Sequence, residues 1–164
     1  MKRYTTYKLV KPADLNHHGS LFAGRASELF VEAGLVAAAA ALGTPEHFVC
    51  LQIQRFTFYR LVPPGELLAL SSRVVHTGRS SLTVLVSFGA LCPSDGGCYA
   101  DGLITFVHVD DNGAPCAHGL TLDEPEDEQE TRERAQAADT LRRGRVVHGT
   151  TGRSVPCARS KMAR

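Results

Sequence analysis

Between Ala33 and Leu42 the chain reads Ala-Gly-Leu-Val-Ala-Ala-Ala-Ala-Ala-Leu, with no polar side chain on any side. Gly43 and Pro45 end this run in the order that helix C-termini prefer. Ser20 is a candidate N-cap, so the spacing predicts a helix over residues 21–42. A helix of about 22 residues is about 33 Å long. One that is apolar all round is buried, so the remainder of the chain has to wrap it.

The segments around it suit that task. Residues 5–10 alternate weakly and read as a first strand, ended by Pro12. Residues 48–58, 66–76, 81–91 and 98–109 form four further strand-like runs. Pro63-Pro64-Gly65, Thr77-Gly78-Arg79 and Asp110-Asp111-Asn112-Gly113 punctuate them. Connections this short predict antiparallel neighbours. The expected class is α+β: a long central helix wrapped by a curved antiparallel sheet.

At 164 residues and 43% hydrophobic content the chain supports one ordinary domain with a real core. A net charge of +1 gives no reason to expect nucleic acid or an anionic membrane as partner. No eighteen-residue apolar run marks a membrane span, and no apolar segment follows the basic N-terminus. The expected location is therefore cytoplasmic. Five cysteines without a C-x-x-C pair read as reduced thiols, although Cys92 and Cys98 flank a turn and could face each other. The tail changes character. Residues 123–133 hold seven acids and one base, whereas residues 142–164 hold seven Lys or Arg and no acid. This divides the chain into a domain at 1–122, a charged helix at 123–142 and a basic, disordered tail at 143–164.

The candidate chemistry lies where a polar loop, Asp14 to Ser20, opens onto the helix. Backbone N–H groups at such a terminus face outward and can polarise a carbonyl oxygen. Arg25, Glu28 and Glu32 fall within about 60° of each other on a helical wheel. They read either as a solvated stripe or, at Glu32, as a carboxylate where exposure gives way to burial, because Val36 and Ala39 continue the stripe. A carboxylate on that border is suited to proton transfer near neutral pH. Asn16 either closes an Asx-turn or orients a water or a carbonyl oxygen. His17 and His18 are adjacent and lack a suitably spaced third ligand, so no metal site is expected; His18 reads as a polar pocket wall. Gly19 and Gly24 serve backbone conformation or close approach of a ligand.

Residues 16–24, Asn-x-x-Gly-x-x-Phe-x-Gly, leading into the long helix, resemble the hotdog-fold acyl-CoA thioesterases, in particular the acyl-CoA hydrolase branch. Residues 58–66 (Phe-Tyr-Arg-Leu-Val-Pro-Pro-Gly-Glu), 76–81 (His-Thr-Gly-Arg-Ser-Ser) and 104–110 with Gly113 continue the likeness in order and spacing. The resemblance implies a hotdog fold and hydrolysis of acyl-CoA to a carboxylic acid and coenzyme A. It implies no metal or redox cofactor, since coenzyme A is part of the substrate. It also implies a homodimer, built into a tetramer or hexamer, with the active site between subunits. Carried across, Asn16 is the loop amide, and the N–H groups of Ala23 and Gly24 polarise the thioester, with Gly19, His18 and Phe22 beside the substrate. Arg79, Ser80 and Ser81, and more weakly Arg60, become contacts for coenzyme A. One departure stands out: the family's catalytic Asp falls on Val31, and Glu32 is the next residue. Glu32 is the first choice for the acid and Glu28 the second. If neither faces the pocket, the chain binds acyl-CoA without hydrolysing it. A hydratase on the same fold is a third reading, without a well-placed Asp/His pair.

Overall fold

The computed structural model describes residues 1–91 and 97–149. Five strands, β1 (Tyr4–Leu9), β2 (Phe48–Phe58), β3 (Leu67–Thr77), β4 (Ser81–Ala90) and β5 (Cys98–His108), form one sheet in the order β1-β3-β4-β5-β2. All its pairings are antiparallel. Bulges in β2 between Cys50 and Gln52 and between Ile53 and Arg55, and in β3 between Val74 and His76, bend it locally. The helix α1 (Ala23–Leu42) packs across one face, giving the α+β architecture expected. Phe30, Ala26, Ala33, Ala37 and Ala38 meet Leu70, Val84, Val86, Phe88, Ile104 and Phe106 in the main core. Small residues set the distance of approach. A Cβ on Gly34 would lie 2.8 Å from Ile104 Cγ2, and one on Gly102 would lie 2.8 Å from the Phe30 ring.

Two expectations about α1 need correction. It begins at Ala23, not Leu21, and Phe22 is its N-cap, with no side-chain cap bond. Leu21 and Phe22 are held extended because their N–H groups donate to Val62 O (3.0 Å) and Asp14 O (2.8 Å). Nor is the helix buried all round. Glu28, Glu32, Val36 and Ala40, spaced by four, form an outward stripe that remains exposed. An alanine-rich face looks alike in sequence whether it is covered or bare.

A second helix, α2 (Glu128–Gly149), covers the opposite face of the sheet. Strand alternation puts Arg73 and Val75 on that face. Val75 and Leu103 pack with Ala137, and Leu85 adjoins them. Glu130 of α2 is fully buried. Its carboxylate accepts from Arg73 (2.6 Å), Arg134 (2.5 Å), the Met1 amino group (3.1 Å) and the N–H of Glu126 (3.1 Å). Burial alone would raise its pKa; the Glu126 N–H, Arg134, the Met1 amine and Arg73 outweigh burial and lower it to about 2. Arg73 also reaches Glu133 (3.1 Å), which pairs with Arg3. The helix thus begins later than the charged segment expected at 123–142 and runs on to Gly149. Residues 150–164 of the tail expected to be disordered, and Cys92 of the pair considered with Cys98, lie outside the described residues.

Candidate active site

The loop before α1 is built around Asn16. Its backbone N–H donates to Ser20 O (2.8 Å), and its O accepts from Gly19 N–H (3.0 Å), with Gly19 at φ +76°. Only glycine adopts that conformation readily. The Asn16 side chain is held just as firmly. Oδ1 accepts from the N–H of His18 (2.9 Å) and of Ser20 (3.3 Å), while Nδ2 donates to Ser20 Oγ (3.1 Å). The amide oxygen is therefore occupied by its own loop, and the second N–H of Nδ2 is the group left to offer a ligand. Ser20 is therefore not the helix cap its position suggests: its hydroxyl fixes Asn16.

Below the loop, Asp14 anchors the helix entrance. It accepts from Lys11 N–H (2.9 Å), Lys8 (3.1 Å) and Arg25 (3.2 Å). The Lys11 N–H lowers its pKa most; burial opposes this, and Lys8 and Arg25 reinforce it. Arg25 also pairs with Glu28.

Asn16, Ser20, Leu21 and Ala23 form one wall of a cleft of about 390 Å³, with residues 58–62 opposite. Phe58, Tyr59 and Leu61 are exposed at 43, 53 and 76% and give the cleft an apolar lip. Ala23 and Gly24 lie in the first turn of α1, where N–H groups have no acceptor within the helix. Phe22, 54% exposed, lays its ring over Gly24, so a Cβ there would push the ring aside. Arg60 reaches the cleft, but its guanidinium donates to Gly97 O (2.7 Å) and lies 4.7 Å over the Tyr99 ring. His18 and Gly19 are exposed on the outer side of the loop, with the His17 and His18 rings 3.8 Å apart. This geometry presents peptide N–H groups, an oriented amide N–H and an apolar entrance, the parts needed to hold and polarise an acyl carbonyl.

A family model described as the thioesterase superfamily matches residues 18–88. An uncharacterized acyl-CoA thioester hydrolase of Zymomonas mobilis is 32% identical over 111 residues, covering 66% of this chain and 72% of that protein. This chain belongs to the acyl-CoA thioester hydrolases of the thioesterase superfamily. Among solved structures, an apo-hexameric acyl-CoA thioesterase superposes with a TM-score of 0.80 at 26% identity, covering 91% of this chain and 94% of that one. An acyl-CoA hydrolase from Staphylococcus aureus, solved with butyryl coenzyme A, coenzyme A and coenzyme A disulfide, gives 0.78 at 24% identity, over 89% and 85%. At that identity the second match speaks for the fold.

In one copy of this thioesterase the expected site residues do not all meet. Asn16, Ala23 and Arg60 share the cleft. Glu32 lines a different groove, with Thr6, Tyr7 and Lys8 of β1, Arg25, Leu29 and Val36. It is exposed there, not set at a border with the interior. The reason is rotational. β1 and β2 are opposite edges of the sheet, and α1 turns Glu32 toward β1. Val31, 100° away, faces the β2 side, and Glu28, 40° from Glu32 and 60° from Val31, points outward between them. Arg79, Ser80 and Ser81 sit in the β3–β4 turn, at the end of the sheet away from Asn16. β3 has 11 residues, so that separation is about 35 Å. The thioesterase shows no cluster of three or more His, Cys, Asp or Glu side chains placed to hold a metal among the described residues. No helix among them is long and apolar enough to cross a membrane.

Sequence reading missed the Ser20 hydroxyl, the Asp14 anchor and the lip formed by Phe58, Tyr59 and Leu61. Spacing offered a signal for the first, since Ser20 stands four residues after Asn16 across a glycine turn. The lip had none, because its exposure depends on where β2 ends relative to the loop.

Proposed function

We propose that this thioesterase hydrolyses acyl-CoA to a carboxylic acid and coenzyme A at a site that two copies of the chain complete together. The observation that carries the reading is the Asn16 cleft itself, which offers hydrogen-bond donors to a carbonyl but is lined by no carboxylate among the described residues. β2 is a bare edge with Val49, Leu51 and Ile53 exposed at 53, 65 and 42%. A second copy added antiparallel along that edge removes it from water. Because the two β2 strands then run in opposite directions, the partner subunit's turn carrying Arg79, Ser80 and Ser81 arrives at the level of the Asn16 cleft. It lies three strand spacings away, about 14 Å. A ligand as long as coenzyme A spans that gap, with its phosphates at the turn, Arg60 flanking its path, and its thioester at the start of α1.

In this arrangement the N–H groups of Ala23 and Gly24 take the developing oxyanion, aided by the positive end of the helix. Asn16 Nδ2 donates to the same carbonyl or to the attacking water. Phe22 borders the acyl group, while Gly19 and the His18 N–H hold the loop that aims Asn16. The base, or the nucleophile, is a carboxylate from the partner's α1, either Glu32 or Glu28; the outward direction of Glu28 in the single chain brings it nearer the seam. The assembly is a dimer at least, a tetramer or hexamer by further contacts, working in the cytoplasm without a metal or redox cofactor. A second reading rests on Val31: with an apolar residue on the β2 side of α1, the protein binds acyl-CoA without cleaving it. Steady-state assay of purified protein against a panel of acyl-CoAs with a thiol-trapping reagent decides between them. Release of coenzyme A that disappears in a Glu28→Gln/Glu32→Gln double variant supports hydrolysis. Saturable acyl-CoA binding with no thiol release supports the second reading.

A further inference from the structure

At the end of the sheet far from Asn16, β5 leaves through a turn at residues 110–113. Asp110 Oδ1 accepts from the N–H groups of Asn112 and Ala114, both at 2.9 Å, and Gly113 has φ +77°. Val109 then pairs with Pro115, and Cys116 N–H donates to His108 O at 3.0 Å. The backbone on both sides therefore fixes Cys116 opposite His108. Their side chains meet, with Sγ 3.0 Å from Nδ1. Cys116 is half-buried. Nδ1 also lies 3.4 Å from Cys116 O. In the tautomer with its proton on Nε2, the imidazole can take the thiol proton at this distance, and the thiolate is the nucleophile of disulfide chemistry.

The two other free thiols described lack such a partner. Cys98 directs Sγ at the backbone oxygens of Phe88 and Ala100. Cys50 and Cys98 are more exposed than Cys116, yet the partial desolvation of each pushes its thiol up, away from the reactive form. The groups around His108 are few. His47, paired with Asp111, meets its ring edge-on at 5.8 Å, and His118 lies 6.4 Å away, its Nε2 near Ser81 O. Phe48 packs on it from β2. The same backbone supports the β3–β4 turn, since Ser80 O accepts from His108 N–H (2.7 Å) and Arg79 O from His118 N–H (3.3 Å).

We propose that Cys116 and His108 form a reactive thiol site for low-molecular-weight disulfides, separate from the hydrolytic cleft. His108 takes the Cys116 proton, and Sγ attacks one sulfur of the disulfide RSSR. A Cys116–S–S–R bond forms as the S–S bond of the reagent breaks, and RS⁻ leaves with the proton from His108. The Cys116 sulfur rises to the disulfide level as the departing sulfur falls from the disulfide to the thiol level, so the exchange needs no further oxidant. Coenzyme A disulfide is the favoured reagent, a preference that rests on the phosphate-holding role given above to Arg79, Ser80 and Ser81. Reactivity of the thiol itself does not rest on it.

The test is time-resolved peptide mass mapping of the whole chain at pH 6.5 with coenzyme A disulfide or glutathione disulfide. Cys116 is expected to be modified about tenfold faster than Cys50 and Cys98, with His108→Gln erasing the advantage. In case that variant misfolds, the rate ratio of Cys116 to Cys50 and Cys98 in the wild-type chain stands alone as the readout. A Cys116 rate no greater than that of Cys50 and Cys98 overturns the proposal. A faster reaction with coenzyme A disulfide than with glutathione disulfide supports the role of the β3–β4 turn. Equal rates support the thiol site while removing that preference.

Discussion

The two faces of the sheet treat their polar groups in opposite ways. Under α2, the Glu130 carboxylate is sealed from water and both its oxygens have partners, from Arg73, Arg134, the Met1 amine and the Glu126 N–H. At the start of α1, Asn16 is gripped as firmly through Oδ1, yet it keeps one side-chain N–H with no partner inside the structure, and it lines a cleft together with Ala23 of the first turn. Saturated polar groups fasten one element to another. Polar groups held rigid with bonding capacity left over are prepared for a ligand, because they need no reorganisation when charge develops. The contrast separates residues whose loss should lower stability from residues whose loss should lower turnover.

The largest effect should come from the open side. Asn16→Ala is expected to lower kcat/KM for acyl-CoA by about a hundredfold or more, with little change in the urea midpoint. A loss of stability as large as the loss of rate would erase the distinction between the faces. On the closed side, Glu130→Ala leaves Arg73 buried without its main partner and is expected to cost about 3 kcal/mol in urea unfolding. Specific activity of the folded fraction should remain near wild type. A smaller change tests whether the loop amide must be aimed as well as present. Ser20→Ala should reduce kcat about tenfold while KM stays nearly constant, and Ser20→Thr should restore most of it; equal falls in Ser20→Ala and Ser20→Thr would indicate a packing role instead.

The closed side also carries a pH dependence. The Glu130 carboxyl is held at about 2, below its ordinary value of 4.5. Its stabilisation is therefore fully present above pH 4.5 and fades as pH falls through about 2. The stability gap between wild type and Glu130→Gln should accordingly shrink from pH 5 to pH 2. A gap that widened over that interval would contradict the assigned ion pairs.

Much of this architecture is legible in the sequence, for identifiable reasons. The end of α1 at Leu42 and the span of β2 follow from local signals: Gly43 with Pro45, and a run rich in Val, Ile and Phe. The start of α1 is not legible in this way, because bonds to Val62 and Asp14, distant or outside the helix, decide where Leu21 and Phe22 go. The direction of Glu32 depends on how α1 is rotated on the sheet, and residue spacing fixes only its angle to Val31 and Glu28. The separation of Asn16 from Arg79 is a matter of strand order. The clamp from Arg73 to Glu130 joins a central strand to the charged tail, and no periodicity connects them.

The central claim is that one copy supplies the amide donors and the other the acid. Co-expression of Asn16→Ala chains with Glu28→Gln/Glu32→Gln chains tests it most directly. Each is expected to be inactive alone, whereas random pairing gives half mixed dimers, each with one intact site. The account predicts recovery of about a quarter of wild-type turnover, since half the dimers carry one working site of two. Mixed dimers that form and remain inactive would contradict it.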